Sequence, residues 1–262
     1  MRQRVITAVV ALAIFIPLLI AGGIWLEIAA AVLAVIGLSE FYIMQKRIIV
    51  SPDFVISAAA VVVLVFPKRF LNWLPSTVTQ NDIFFLLTIL LLVYTVMSKN
   101  RTNFDEISVN TLATLYVGYG FHALASVRND AGLDTLFLFL LIVWSTDSGA
   151  YIFGRQFGKH KLWPAISPNK TWEGSIGGTL LAMVVALIYL QFFPQLYSIK
   201  VMLLIALIFS IFGQFGDLIE SAYKRYYGVK DSGKILPGHG GILDRFDSLL
   251  VVLPLLHFFG FF

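Results

Sequence analysis

Residues 201–219 read VMLLIALIFSIFGQFGDLI, an apolar run of the length that crosses a bilayer, with a single charge, Asp217, near its end. A spanning helix needs about 20 mostly apolar residues. Working outward from this run, further spans are expected at 5–20, 24–44, 54–67, 83–97, 108–127, 133–151, 174–193 and 242–262. The third is short, about 20 Å if helical. Asn81-Asp82 is a candidate N-cap pair for the fourth. The first reads as a retained span, because no small-residue cleavage pattern follows it. Composition agrees. The 262 residues are 58% hydrophobic and 13% charged, with mean hydropathy +0.85. Soluble proteins carry about 25% charged residues, so a soluble enzyme is excluded. The expected fold is an all-α integral membrane protein of about nine transmembrane helices. Cysteine is absent, which excludes disulfides and thiolate-held metals.

Lys and Arg set the orientation. With the N-terminus cytoplasmic, only Lys68, Arg69, Arg128 and Lys200 face outside, leaving 15 of the 19 basic residues inside. The chain then divides into N-terminal spans, 1–140, and a C-terminal catalytic region, 141–262. Two polar, basic cytoplasmic loops, 152–173 and 220–241, belong to the latter. Long loops in compact proteins tend to carry function.

Four acids lie in or at the edge of the late apolar runs: Asp147, Asp217, Asp244 and Asp247. A carboxylate at membrane depth needs a cation, a partner or a water-filled cavity. Asp244 and Asp247, three apart, would share a helix face. All four are expected at the cytoplasmic ends of their spans. Two readings stand side by side. Each Asp pairs with a nearby Lys or Arg, or several converge on Mg²⁺, which takes one or two carboxylates plus phosphate oxygens. The second is favoured for four acids on the side of the basic loops.

In loop 220–241, Lys224-Arg225, Lys230-Asp231 and Lys234 precede Pro237-Gly238-His239-Gly240-Gly241. Glycines let backbone N–H groups approach an anion, and a helix starting near Gly241 would aim its N-terminus at the same spot. In loop 152–173, Ser167 or Thr171 is a candidate helix cap, with Glu173 in the first turn. Lys170 stands at that helix start, where a lysine is unfavourable unless it meets an anion. The bottom-up reading is therefore a cytoplasm-facing membrane site for phosphorylated substrates, one of them a lipid.

At these residues the chain resembles the phosphatidate cytidylyltransferase, or CDP-diacylglycerol synthase, family. The match runs through Ser221, Lys224-Arg225, Lys230-Asp231, Gly233, Leu236-Pro237, His239-Gly240-Gly241-Ile242 and Asp244-Arg245-Phe246-Asp247. Asp147, Ser167-Pro168, Lys170-Thr171 and Gly216-Asp217 also look like that family, while Tyr223 is a mild departure. The resemblance implies transfer of a cytidylyl group from CTP to phosphatidate in the cell membrane, on the cytoplasmic side, by a homodimer. It implies dependence on Mg²⁺, with K⁺ as a candidate second ion, and no nucleic acid partner. Asp217 and Asp244 match the metal-binding aspartates. With Lys224, Arg225 and Asp247 they form the implied catalytic set. Asp147, Lys170, Ser221, Lys230, His239, Gly240, Gly241 and Arg245 form the implied substrate-binding set. A transporter is disfavoured because the polar residues cluster on one side. A CDP-alcohol phosphotransferase is disfavoured because its aspartate motif is absent. A relative acting on an ether lipid stays open.

Overall fold

The computed structural model describes residues 2–72 and 74–261. It is 75% helical, the composition of an all-α membrane protein. In chain order the helices are α1 (Arg2–Ala21), α2 (Gly23–Met44), α3 (Pro52–Val65), α4 (Gln80–Met97), α5 (Phe104–Ser126), α6 (Leu133–Phe157), α7 (Trp172–Phe192), α8 (Ile199–Tyr226), α9 (Leu243–Phe246) and α10 (Leu249–Phe259). Among the described residues, α2, α4, α6, α7 and α8 are long and apolar enough to cross a membrane. Shorter apolar helices cover Ile6–Ala21, Pro52–Val65 and Leu249–Phe259. α5 has the length but carries Asp105, Glu106, Asn110 and His122.

Two compact units arise, Met1–Ala125 with Asp231–Asp244, and Ser126–Lys230 with Arg245–Phe262. In the first, α2 presents buried Leu26, Ala30, Ala34 and Leu38 at helical spacing. Gly37 gives Leu243 and Val117 room, and Gly118 does the same for Leu64. Arg47 ties the turn after α2 to buried Asp53, at 2.9 Å. Thr79 caps α4 in a capping box with Asp82, so the cap stands two residues ahead of the Asn81-Asp82 pair expected from sequence. Asp82 is instead the reciprocal partner.

In the second unit, α6 and α7 pack so closely that a Cβ on Gly149 would stand 2.8 Å from the Gly178 Cα. Small residues let helix backbones approach in this way within a membrane. α8 and α10 complete the bundle, with Phe139 edge-on to Phe209 at 5.1 Å. α6 and α8 run on past the apolar stretches into both expected loops, as far as Phe157 and Tyr226. Their last turns carry Arg155 and Lys224-Arg225, cations that suit a helix C-terminus. The expected ninth span is broken: α9 ends at Phe246 and α10 begins at Leu249. Its final residue lies outside the described residues. Asp244 and Asp247 therefore do not share one helix face.

Candidate active site

In the second unit, strands β1 (Lys161–Trp163) and β2 (Ser167–Thr171) form an antiparallel hairpin inside the loop that precedes α7. Glu173 holds its base, accepting from Lys159 N at 3.1 Å and lying 2.6 Å from His160 Nδ1. Arg225 Nε donates to Ile166 O at 3.3 Å, so α8 grips the hairpin tip. Thr171 ends β2 and caps α7 by accepting from Gly174 N at 3.1 Å. Of the two expected caps, this hydroxyl is the one used.

That construction carries Lys170 to α8. Its Nζ lies 2.5 Å from Asp217 Oδ2. Ser221, one turn on, donates to Asp217 Oδ1 at 3.3 Å. The anion that makes a lysine acceptable before α7 is thus Asp217, so charge pairing holds for this acid. Asp147, Tyr151, Arg155, Asn169, Lys170, Gln214 and Asp217 are among the residues lining a cavity of about 470 Å³. It offers two carboxylates and two cations on walls that are otherwise neutral. Below it, hydroxyls from three helices join: Ser210 Oγ lies 2.8 Å from Thr146 Oγ1 and 3.0 Å from Thr179 Oγ1. Gln214 Nε2 also reaches Thr179 Oγ1, at 3.0 Å.

The remaining expected residues of this unit have protein partners or stand at the surface. Lys224 pairs with buried Glu220 at 2.9 Å, one turn away. Asp247 Oδ1 accepts from Ser248 N at 2.7 Å, at the break before α10. Lys230 and Arg245 are exposed.

In the first unit, Asp244 Oδ2 accepts from Ser232 N at 2.8 Å and Gly241 N at 2.8 Å, with Ser232 Oγ at 2.9 Å. Leu236 N donates to Gly240 O, which closes a tight turn around half-buried His239. Gly240 turns at φ +89°, and a Cβ there would collide with Asp244. The expected cradle of backbone N–H groups exists, but it is filled from within. Gly241 N serves Asp244, while Ile242 N and Leu243 N serve Glu40 of α2. The sequence pattern did not single out Glu40, which fills this cradle. Its signal was the same as that of Asp217, an acid in an apolar run, but weight was given only to the late runs. Gln214 and Arg155 were missed too.

Among the described residues, no group of three or more His, Asp or Glu side chains is arranged to hold a metal. Mg²⁺ does not require one, since it dehydrates reluctantly and is usually bound by one or two carboxylates with substrate phosphates. Asp217 fits that role. It is an oxygen donor at a cavity wall, and its present partner is a cation.

The cytidylyltransferase family model matches residues 2–262. The chain belongs to the cytidylyltransferase family. It is a nucleotidyltransferase. The phosphatidate cytidylyltransferase of Staphylococcus haemolyticus is 47% identical over 257 residues, 98% of each chain. Those of Staphylococcus aureus and Staphylococcus saprophyticus are 46% and 45% identical over the same share. The match includes the N-terminal residues that the sequence pattern had left as anonymous spans, Glu40 among them. Lys170 and Arg155 bring positive charge to the cavity wall.

Proposed function

We propose that this cytidylyltransferase is a phosphatidate cytidylyltransferase, converting CTP and phosphatidate to CDP-diacylglycerol and diphosphate. The observation that carries the reading is the Lys170–Asp217 pair in a cavity built from α6, α7 and α8, helices long and apolar enough to lie in lipid. A phosphate oxygen of phosphatidate attacks the α-phosphorus of CTP in line. The bond from that phosphorus to the bridging oxygen of the β-phosphate breaks, and diphosphate leaves. The attacking monoester is already ionised at neutral pH, so little general-base help is needed. Catalysis is then positioning and charge neutralisation.

Mg²⁺ is proposed at Asp217, with Asp244 carried by the motif as the second metal-binding aspartate, and K⁺ as a candidate second ion. When bound, Mg²⁺ would neutralise phosphate charge and stabilise the leaving diphosphate. Lys170, with Lys230 and Arg245, would neutralise phosphate oxygens. Lys224 and Arg225 would add positive charge for the phosphates, Arg225 also holding α8 to the β1–β2 hairpin, with Asp147, Asp247, Ser221 and His239 bordering the substrates. The assembly is proposed as a homodimer in the cell membrane, with the C-terminal region 141–262 catalytic and its site facing the cytoplasm. Turnover of labelled CTP and phosphatidate by purified protein, with and without Mg²⁺, tests the activity. No CDP-diacylglycerol at any Mg²⁺ concentration would reject it.

Nine spans with a cytoplasmic N-terminus are proposed from the basic-residue bias. The chain has no cysteine, so single cysteines at Gln45 and Gln195 report sidedness. An impermeant thiol reagent added outside should label position 195 and spare position 45. The opposite pattern would overturn the orientation.

A further inference from the structure

α2 sends one carboxylate into the segment 231–244. Glu40 is 2% exposed. Its Oε1 accepts from Ile242 N at 2.7 Å, and its Oε2 accepts from Leu243 N at 2.9 Å. Oε2 also lies 2.9 Å from Ser232 Oγ. The same hydroxyl is 2.9 Å from Asp244 Oδ2. A serine has one hydroxyl proton to give, so Ser232 stands between the two carboxylates and donates to one of them at a time. The surroundings are shaped to the Glu40 head group. A Cβ on Gly233 would stand 2.7 Å from Oε1, and one on Gly241 would collide with both Glu40 and Ser232.

Burying a carboxylate is costly unless its oxygens are well hydrogen-bonded. Here two backbone amides and a hydroxyl offset that cost. The two amides belong to the residues just before Asp244, and the hydroxyl touches Asp244 itself. Every bond Glu40 makes in this segment therefore restricts where the Asp244 carboxylate can point.

We propose that Glu40 is a positioning residue for Asp244, acting through Ser232 and the backbone at 242–243, so that α2 forms part of the catalytic support. This rests on the assignment of Asp244 as a metal-binding aspartate. Partners that orient a metal ligand typically change affinity or activity by about 10–100-fold when removed.

The test uses full-length purified protein and the variants Glu40→Ala and Glu40→Gln. Glutamine keeps the shape but offers only one acceptor oxygen to the two amides, so it reports even if Glu40→Ala fails to fold. Mn²⁺ binding is followed by spin resonance with CTP present and phosphatidate absent. Turnover is measured in parallel against Mg²⁺ concentration. Glu40→Gln should weaken Mn²⁺ binding by about tenfold or more and raise the Mg²⁺ needed for half-maximal turnover by a similar factor. Its KM for phosphatidate should stay within about twofold, because uniform substrate binding is untouched. Amide exchange at 241–243 should speed up while α6 to α8 keep wild-type protection. A lowered melting temperature with unchanged Mn²⁺ affinity in the folded protein would overturn the proposal and leave Glu40 a stability residue. Wild-type protein that neither binds Mn²⁺ with CTP nor turns over would overturn the activity reading instead.

Discussion

Asp217 and Asp244 are the two acids that the motif pairs as metal-binding, yet their surroundings differ in kind. Asp217 borders a cavity, and its partners are two side-chain groups, the Lys170 ammonium and the Ser221 hydroxyl. Asp244 is held by backbone amides of Ser232 and Gly241 and by the Ser232 hydroxyl, itself within reach of Glu40. Fixed amides cannot move aside when a ligand arrives, whereas a lysine on a four-carbon stem can. Asp217 is thus set up to exchange partners, and Asp244 to keep them. One acid is a switchable contact and the other a fixed one.

The largest effect we expect separates these two roles. Asp217→Asn and Asp244→Asn should each cost more than the roughly 100-fold typical of residues supporting a metal ligand, measured as CDP-diacylglycerol formation. Only Asp244→Asn should also lower the melting temperature. Its donors would then face a neutral oxygen, and bonds to charged groups exceed neutral ones by about 1 kcal/mol each. Equal melting temperatures for the two variants would break the contrast. Wild-type activity in either variant would remove that residue from the site.

The next effect concerns the lysine partner of Asp217. Lys170→Ala should lower kcat/KM for CTP by about one to two orders of magnitude, the scale of a lost charge-assisted bond. An ammonium reads charge and carries no base-specific pattern. The loss should therefore be equal for CTP and dCTP, with discrimination against UTP unchanged. A loop that merely binds anionic headgroups would behave differently, losing activity in anionic bilayers and recovering in neutral detergent. Such recovery would refute the phosphate role of Lys170.

The same contrast explains what could be seen in the sequence. α2 is an apolar run of nearly the right bounds, and the helix at Gly23–Met44 matches 24–44 closely. Hydropathy marks what can sit in lipid, so it stopped short where α6 and α8 continue through the charged turns that carry Arg155, Lys224 and Arg225. It also ran straight through the break at Asp247-Ser248, because apolar residues lie on both sides. Lys170 and Asp217 were legible as an unfavourably placed cation and an isolated acid, each needing a partner. The Gly-rich segment was legible as an anion cradle, but the anions are Glu40 and Asp244. Glu40 lies 192 positions from Ser232. A contact of that span leaves no spacing pattern, and a single acid in a span gives only a weak signal.

The smallest effect compares two buried serines. Ser210 is fully buried among hydroxyls, with Thr146 Oγ1 at 2.8 Å and Thr179 Oγ1 at 3.0 Å. Ser232, 1% exposed, stands between the carboxylates of Glu40 and Asp244. Removing the Ser210 hydroxyl leaves neutral groups that can still bond elsewhere, as Thr146 does to Ile142 O at 2.7 Å. Neutral hydrogen bonds between membrane helices average about 0.6 kcal/mol. Ser210→Ala should therefore cost about that much in stability and less than about tenfold in turnover, reaching the cavity indirectly, through Thr179 and Gln214. Removing the Ser232 hydroxyl takes away the one donor that stands between two carboxylates, and a bond to a charged group is worth about 1.5–3 kcal/mol. Ser232→Ala should accordingly be the more damaging of the pair in both melting temperature and turnover. Thermal melting and steady-state kinetics on the two single variants rank them directly. If Ser210→Ala proves the worse, the hydroxyl ladder under the cavity, and not the carboxylate bridge, is the more important polar support.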